Sequence, residues 1–192
     1  MNIELFGIFF SAFLVNNIVL TRFLALFSFF GSPTDIKTSA QMGILSIIVV
    51  FFSSALSWAI NKFILFPMGL DFMATAFFVL IVVLLIQINV FYLKKILPDI
   101  YKTLEAHFHL ITTNCVILAV AILATDYNFN LLQTITYSLG VSGGYFFVII
   151  IFVHIREKLV MAPIPKWFQG YPIAFITAAL MSLAFMGFIG MF

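Results

Sequence analysis

Apolar residues run through this chain in long blocks separated by short polar or breaker-rich stretches. Blocks of roughly 20 apolar residues match a hydrocarbon core of about 30 Å, and six can be drawn, at approximately 3–30, 40–61, 72–93, 102–125, 132–155 and 171–191. The separators are Gly31-Ser-Pro-Thr-Asp35, Pro67-Met-Gly69, Pro98-Asp99, Asp126-Tyr-Asn-Phe-Asn130 and Pro163-Ile-Pro-Lys166 with Gly170. The first block is too long for one straight span. It also carries Asn16, Asn17, Thr21 and Arg22, so it reads as a broken or re-entrant helix.

The polar notch in the first block recurs. Phe13-Leu-Val-Asn-Asn-Ile-Val-Leu20 returns 98 positions later as Ile111-Thr-Thr-Asn-Cys-Val-Ile-Leu118, pairing Asn16 with Asn114 and Asn17 with Cys115. Each notch opens a group of three blocks, which divides the chain into halves of about 1–97 and 98–192 within one membrane domain. Three spans per half is odd, so halves of the same fold lie upside down relative to each other. The expectation is an all-α membrane protein of six transmembrane helices, an inverted three-plus-three repeat with broken first and fourth helices. Amides in hydrocarbon are costly unless they meet a partner or release the helical backbone for a purpose. The matched pair of notches therefore marks a candidate site.

Composition closes off other classes. The chain is 64% hydrophobic and 8% charged, far from the quarter or so of charged residues in a soluble domain. No room remains for a soluble catalytic domain, and the start reads as a spanning segment with no basic region before it. Membrane lipid is the expected surrounding, and nothing points to nucleic acid. Loops on one side hold seven basic residues (Lys37, Lys94, Lys95, Lys102, Arg156, Lys158 and Lys166) against Lys62 alone on the other. By the positive-inside rule the basic side is cytoplasmic and both termini lie outside.

Little conventional chemistry is visible. Phosphate loops, HExxH, CxxC and nucleophile elbows are missing from the sequence, so no catalytic residue is assigned. Asp35, Asp71, Asp99, Glu4, Glu105, Asp126 and Glu157 all fall near predicted segment ends, which argues against a carboxylate ion site at mid-depth. His107, His109 and His154 read as interfacial polar residues. Gly140 and Gly144, with Ser138 and Ser142 nearby, form one small-residue stripe, and Ala174, Ala178 and Ser182 form another; both predict close helix packing. Cys115 is the single cysteine, so this chain makes no internal disulfide.

Several segments carry a family resemblance that spans essentially the whole chain. Leu14-Val-Asn-Asn-Ile-Val-Leu20, Leu110-Ile-Thr-Thr-Asn-Cys115, Ile155-Arg-Glu-Lys-Leu159 and Phe168-Gln-Gly-Tyr-Pro-Ile-Ala-Phe-Ile-Thr-Ala-Ala-Leu-Met-Ser-Leu-Ala-Phe-Met-Gly187 closely resemble the A subunits of Rnf (Rsx) ion-translocating electron-transport complexes. That family is homologous to the E subunit of the sodium-pumping NADH:quinone oxidoreductase. The resemblance implies a bacterial or archaeal cytoplasmic-membrane subunit, not catalytic alone, in a complex that couples electron transfer between ferredoxin and NAD to sodium or proton movement. It implies a homologous E subunit in the membrane as its pair, with the B, C, D and G subunits around them. FMN, riboflavin and further iron–sulfur clusters belong to those partners. Between A and E the family holds a 2Fe–2S cluster, each of the two giving two cysteines, one per broken helix.

The resemblance assigns Cys115 as a metal ligand, with Thr112, Thr113 and Asn114 beside the cluster and Asn16 and Asn17 at the first break. At the other ligand position this sequence has Phe27. Ser28 is its neighbour, turned by about 100° on a helix. Two readings follow: an A subunit that carries electrons through a cluster with an unusual ligand set, or a cluster-less paralogue acting as scaffold or as an ion- or small-molecule-translocating subunit.

Overall fold

The computed structural model describes residues 2–25, 30, 36–69, 73–96, 101 and 114–188, all of whose regular structure is helical. Helix α1 covers Asn2–Phe10 and widens into a π turn at Ser11–Val15; after a break at Asn16 and Asn17, α2 covers Ile18–Arg22. Helix α3 runs Ile36–Ile60 and continues through a π turn, Asn61–Leu65, to a last turn at Phe66–Met68. Helix α4 is Ala74–Ile96, α5 is Cys115–Asp126, α6 is Leu131–Val160 and α7 is Tyr171–Met186, preceded by a 3-10 turn at Lys166–Phe168.

Among the described residues three helices are long and apolar enough to cross a membrane, Ile36–Met68, Ala74–Lys95 and Leu131–Val160, and three apolar helices are shorter. The expected 40–61 span runs further because the chain stays helical through Pro67, which sits early in its last turn, and stops only at Gly69. Gly69 has φ 65°, the left-handed geometry that ends helices and suits glycine. The expected 132–155 span likewise extends to Val160, its start fixed by a capping box between Asn130 and Gln133. The residues expected to open the fourth span, 102–113, lie outside the described ones, as do Thr112, Thr113, Phe27, Ser28, His107 and His109.

The helices are inside out relative to a soluble protein. Helix α3 buries Ser39, Ser46, Ser53 and Ser57 and exposes Ile44, Ile48, Phe52 and Leu56, each set at helical spacing. Helix α4 exposes Leu80, Leu84, Ile88 and Phe91. Such faces suit lipid, while small polar side chains let backbones approach inside the bundle. Helices α3 and α6 run antiparallel as its central pair. At one end Trp58 Nε1 donates to Phe129 O at 2.8 Å, and at the other Gly43 gives way to the ring of Phe146. Across that seam Ser46 donates to Met42 O at 2.9 Å and Ser142 to Ser138 O at 2.7 Å, satisfying hydroxyls within their own helices.

Both small-residue stripes are used inside the chain. A methyl group at Gly140 would lie 2.8 Å from Phe9 O, and one at Gly144 would lie 2.6 Å from Phe13 O and 2.7 Å from Asn17 Nδ2. The α6 glycines therefore seat α1 and its break. On α7, Ala174 and Ala178 are buried, and Ser182 donates to Leu20 O at 2.7 Å. The core thus wraps the first notch: Ile18, Val19 and Leu20 cluster with Val116, Ile117, Val148, Phe152 and Met181.

Candidate functional site: two interrupted helices meeting at Cys115

Interruption of the first helix begins before the asparagines. In the π turn each carbonyl bonds one residue further along than in an α-helix, and Asn16 N donates to Ser11 O at 2.6 Å. Asn16 then leaves helical geometry at φ −100° and ψ 42°. Its side-chain amide reaches back to Ser11 Oγ at 2.9 Å.

Asn17 does most of the repair. Its backbone is extended, φ −60° and ψ 109°, and its Oδ1 accepts from Val19 N at 3.2 Å, capping α2. Its Nδ2 donates to Phe13 O at 3.0 Å, satisfying a carbonyl that the break would otherwise free. Thr21 Oγ1 returns to Asn17 O at 2.8 Å. With Ser182 on Leu20 O at the far end, a helix of only five residues has both ends held by side chains. Asn17 is 1% exposed, so these bonds form away from water, where losing one is expensive.

The second notch repeats the device. Asn114 has φ −72° and ψ 103°, and its Oδ1 accepts from Val116 N at 3.1 Å to cap α5. Equivalence of the two caps pairs Asn17 with Asn114, an offset of 114 − 17 = 97 positions. The sequence offset of 98, which paired Asn16 with Asn114 and Asn17 with Cys115, is thereby corrected by one. Two adjacent asparagines in the first notch permit either register by composition, and only the cap geometry chooses. Cys115 then corresponds to Ile18, the first residue of α2.

Asn114 is 4% exposed, and its Nδ2 has no hydrogen-bond partner among the described residues. Asn17 bonds a carbonyl four residues back; the matching residue in the second half, Leu110, lies outside the described ones.

Beyond α2 the chain makes two left-handed residues that are not glycine, Phe23 at φ 52° and Ala25 at φ 63°. Each costs on the order of 1–2 kcal/mol. The turn aims Ala25 N at Cys115 Sγ, 3.0 Å away, so the end of one interrupted segment touches the start of the other. Cys115 is exposed at the surface of the isolated chain, while Asn17 and Asn114 lie beneath. Sequence reasoning singled out Asn16, Asn17, Asn114 and Cys115: Asn17 and Asn114 cap the helices that resume after each break, and Cys115 meets Ala25 N at the point where the two interrupted segments touch. It missed Ala25, Gly144 and Ser182 as supports of that point. The spacing of Gly140 and Gly144 was the available signal, whereas nothing in the sequence marks Ala25.

Comparison with known proteins covers the same span. Residues 5–192 match the family described as "Rnf-Nqr subunit, membrane protein". The A subunit of the ion-translocating oxidoreductase complex of Buchnera aphidicola (subsp. Baizongia pistaciae) is 39% identical over 191 residues, covering 100% of this chain and 98% of that protein. The protein of the same name from Edwardsiella ictaluri is 41% identical over 178 residues, covering 93% and 92%. That from Yersinia pestis is 40% identical over 178 residues, with the same coverage.

Proposed function

Since the chain belongs to the Rnf-Nqr family of membrane subunits, we propose that it serves as the A subunit of an Rnf-type complex that couples electron transfer between ferredoxin and NAD to sodium or proton translocation. In this reading six spans form an inverted three-plus-three repeat in a cytoplasmic membrane, termini outside. Its open face meets the homologous E subunit in the membrane. The B, C, D and G subunits complete the assembly and hold FMN, riboflavin and the other iron–sulfur clusters. The carrying observation is the contact of Ala25 N–H with Cys115 Sγ, which brings two equivalently capped breaks to one exposed sulfur. A thiolate in that position, accepting a backbone N–H, has the character of an iron–sulfur ligand.

The ligand set fits a shared 2Fe–2S cluster only in part. Two thiolates from this chain are required and the sequence holds one cysteine; among the described residues no three His, Cys, Asp or Glu side chains gather. No electron step is therefore routed through a group on this chain. In this reading its own residues act on the backbone: Asn17 and Asn114 cap the helices that resume after each break, Ser182 holds the far end of α2, and Ala25 N–H orients the Cys115 sulfur. The single cysteine favours a second reading, a cluster-less scaffold or an ion- or small-molecule-translocating element.

Iron and acid-labile sulfide in the purified complex separate the two. The first reading expects both at the interface of this chain and its pair, and loss of both in Cys115→Ala. A complex that turns over without iron there leaves only the second.

A further inference from the structure

We propose that the cleft between the end of α6 and the start of α7 holds one anionic phospholipid, with its phosphate at Arg156 and an acyl chain along α7. The inference needs only the membrane setting and stands apart from the redox reading.

Two adjoining cavities carry it. The first, about 290 Å³, has Arg156, Ala162, Ile164, Gln169 and Gly170 on its walls, and among the described residues no carboxylate lines it. The second, about 370 Å³, follows one face of α7 past Ile173, Ile176, Leu180 and Ala184, with Ile155 of α6 beside it. Leu159 and Ile173 line both, so one opens onto the other. Their chemistry differs: the first offers a guanidinium and a carboxamide, whereas the second is apolar except for Thr177, whose hydroxyl is spent on Ile173 O at 2.8 Å. A charged head leading into an apolar trough is the outline of an amphiphile. The rise along α7 from Ile173 to Ala184 is about 16 Å, close to half of a hydrocarbon core of about 30 Å, so the trough is one leaflet deep.

The polar end is a shaped turn. Gly170, at φ 85°, swings the chain into α7, and a β-carbon there would meet nothing within 4 Å. Gln169 Nε2 donates to Ile164 O at 2.9 Å and Ile164 N to Ala162 O at 2.8 Å, which folds the loop onto itself beside the cavity. Arg156 Nη1 donates to Phe30 O at 3.4 Å, and its guanidinium lies 5.9 Å from the centre of the Phe152 ring. Those contacts hold the fork in place. With five N–H groups, a guanidinium serves a carbonyl and a phosphate together.

Depth and charge select the phosphate of a lipid. Helix α6 has 30 residues and is about 45 Å long, roughly 15 Å more than the hydrocarbon core. With that surplus shared between its ends, about five residues project at each, which sets Arg156 at the boundary where phospholipid phosphates lie. Trp167 and Tyr171, 91% and 68% exposed, follow in the chain and are of the types that gather at that level. Residues 156–170 carry Arg156, Lys158 and Lys166 against Glu157 alone. Basic pockets between spanning helices suit acidic headgroups.

The test uses the complete complex, stripped of lipid in detergent and then titrated with phosphatidylglycerol, phosphatidylcholine or inorganic phosphate. Bound lipid is counted by native mass spectrometry, and the melting midpoint is followed alongside. Wild type should retain one phosphatidylglycerol that Arg156→Gln binds about tenfold more weakly. Leu180→Trp, which fills the trough and leaves Arg156 in place, should weaken it as well. Leu180 is 61% exposed, so this second variant decides the matter if Arg156→Gln proves misfolded. Four results would overturn the proposal. Equal retention of phosphatidylglycerol by wild type and Leu180→Trp is one, and equally tight phosphatidylcholine is another. A rise in midpoint with inorganic phosphate that matches the rise with phosphatidylglycerol marks an anion site without a lipid. A photoreactive group at position 180 that captures another polypeptide of the complex in place of lipid marks a protein interface.

Discussion

The backbone N–H of Ala25 donates to Sγ of Cys115 over 3.0 Å, joining positions 90 residues apart. That bond closes the gap between two segments that each begin with an extended asparagine, and it leaves the outer side of the sulfur uncovered. Because the thiol is the only one in the chain, its reactivity reports on that face without interference. A membrane-permeant maleimide should label the isolated chain stoichiometrically and the assembled complex at least about tenfold more slowly, as a packed interface excludes it. Equal rates in the two states would place the subunit pairing elsewhere.

Gly144 holds the first break against α6. A β-carbon there would fall 2.6 Å from Phe13 O and 2.7 Å from Asn17 Nδ2, the two atoms that hydrogen-bond across the interruption. Neither backbone nor a capping side chain can yield cheaply, so Gly144→Ala should destabilise by about 2–3 kcal/mol. Gly7, where an added methyl group would meet nothing within 4 Å, is the control, and Gly7→Ala should be neutral or slightly stabilising. Thermal denaturation of the two variants in the same detergent distinguishes these outcomes; equal midpoints would remove Gly144 from the site's support.

Asn17 and Asn114 share a capping bond but differ in what else they do among the described residues. Asn17→Leu removes the cap on Val19 N and the donor to Phe13 O, leaving a buried amide and a part-buried carbonyl unpaired. A cost of about 2–4 kcal/mol follows, one to two for the cap and a similar amount for the orphaned carbonyl. Asn114→Leu should impair assembly or turnover through loss of the α5 cap. Complex yield and electron flux measured side by side give the answer, and normal values for both would contradict the bracing role.

How legible was this in the sequence? The helical class, the membrane setting and the position of the notches follow from apolar block length and from amides at implausible depth, because lipid imposes those rules residue by residue. Register is another matter. With Asn16 and Asn17 adjacent, an offset of 98 or 97 satisfies the pattern equally, and the choice depends on which oxygen accepts from Val19 N. Helix ends drifted for a related reason: Pro67 is a breaker by type, yet it falls in the last turn of a helix that has already widened into a π turn, and the helix runs one residue past it before Gly69 ends it. Ala25 was invisible because left-handed backbone usually announces itself with glycine or asparagine, and here a tertiary contact holds alanine there.

Ala25 also offers the most discriminating local test. Its φ of 63° costs on the order of 1–2 kcal/mol for a residue with a β-carbon, and glycine removes that cost while losing about 0.5–1 kcal/mol of chain entropy on folding. Ala25→Gly should therefore leave stability unchanged or raise it by up to about 1 kcal/mol. Ala25→Val should act in the opposite direction. A branched side chain is worse in left-handed geometry, and at 5% exposure the site has little space for two more methyl groups. The backbone turn that aims the amide at Cys115 would then relax. Two readouts must move together: the melting midpoint falls in Ala25→Val, and maleimide labelling of Cys115 in the assembled complex speeds up. A drop in midpoint with labelling unchanged would mean that the left-handed turn serves packing and has no part in orienting the sulfur.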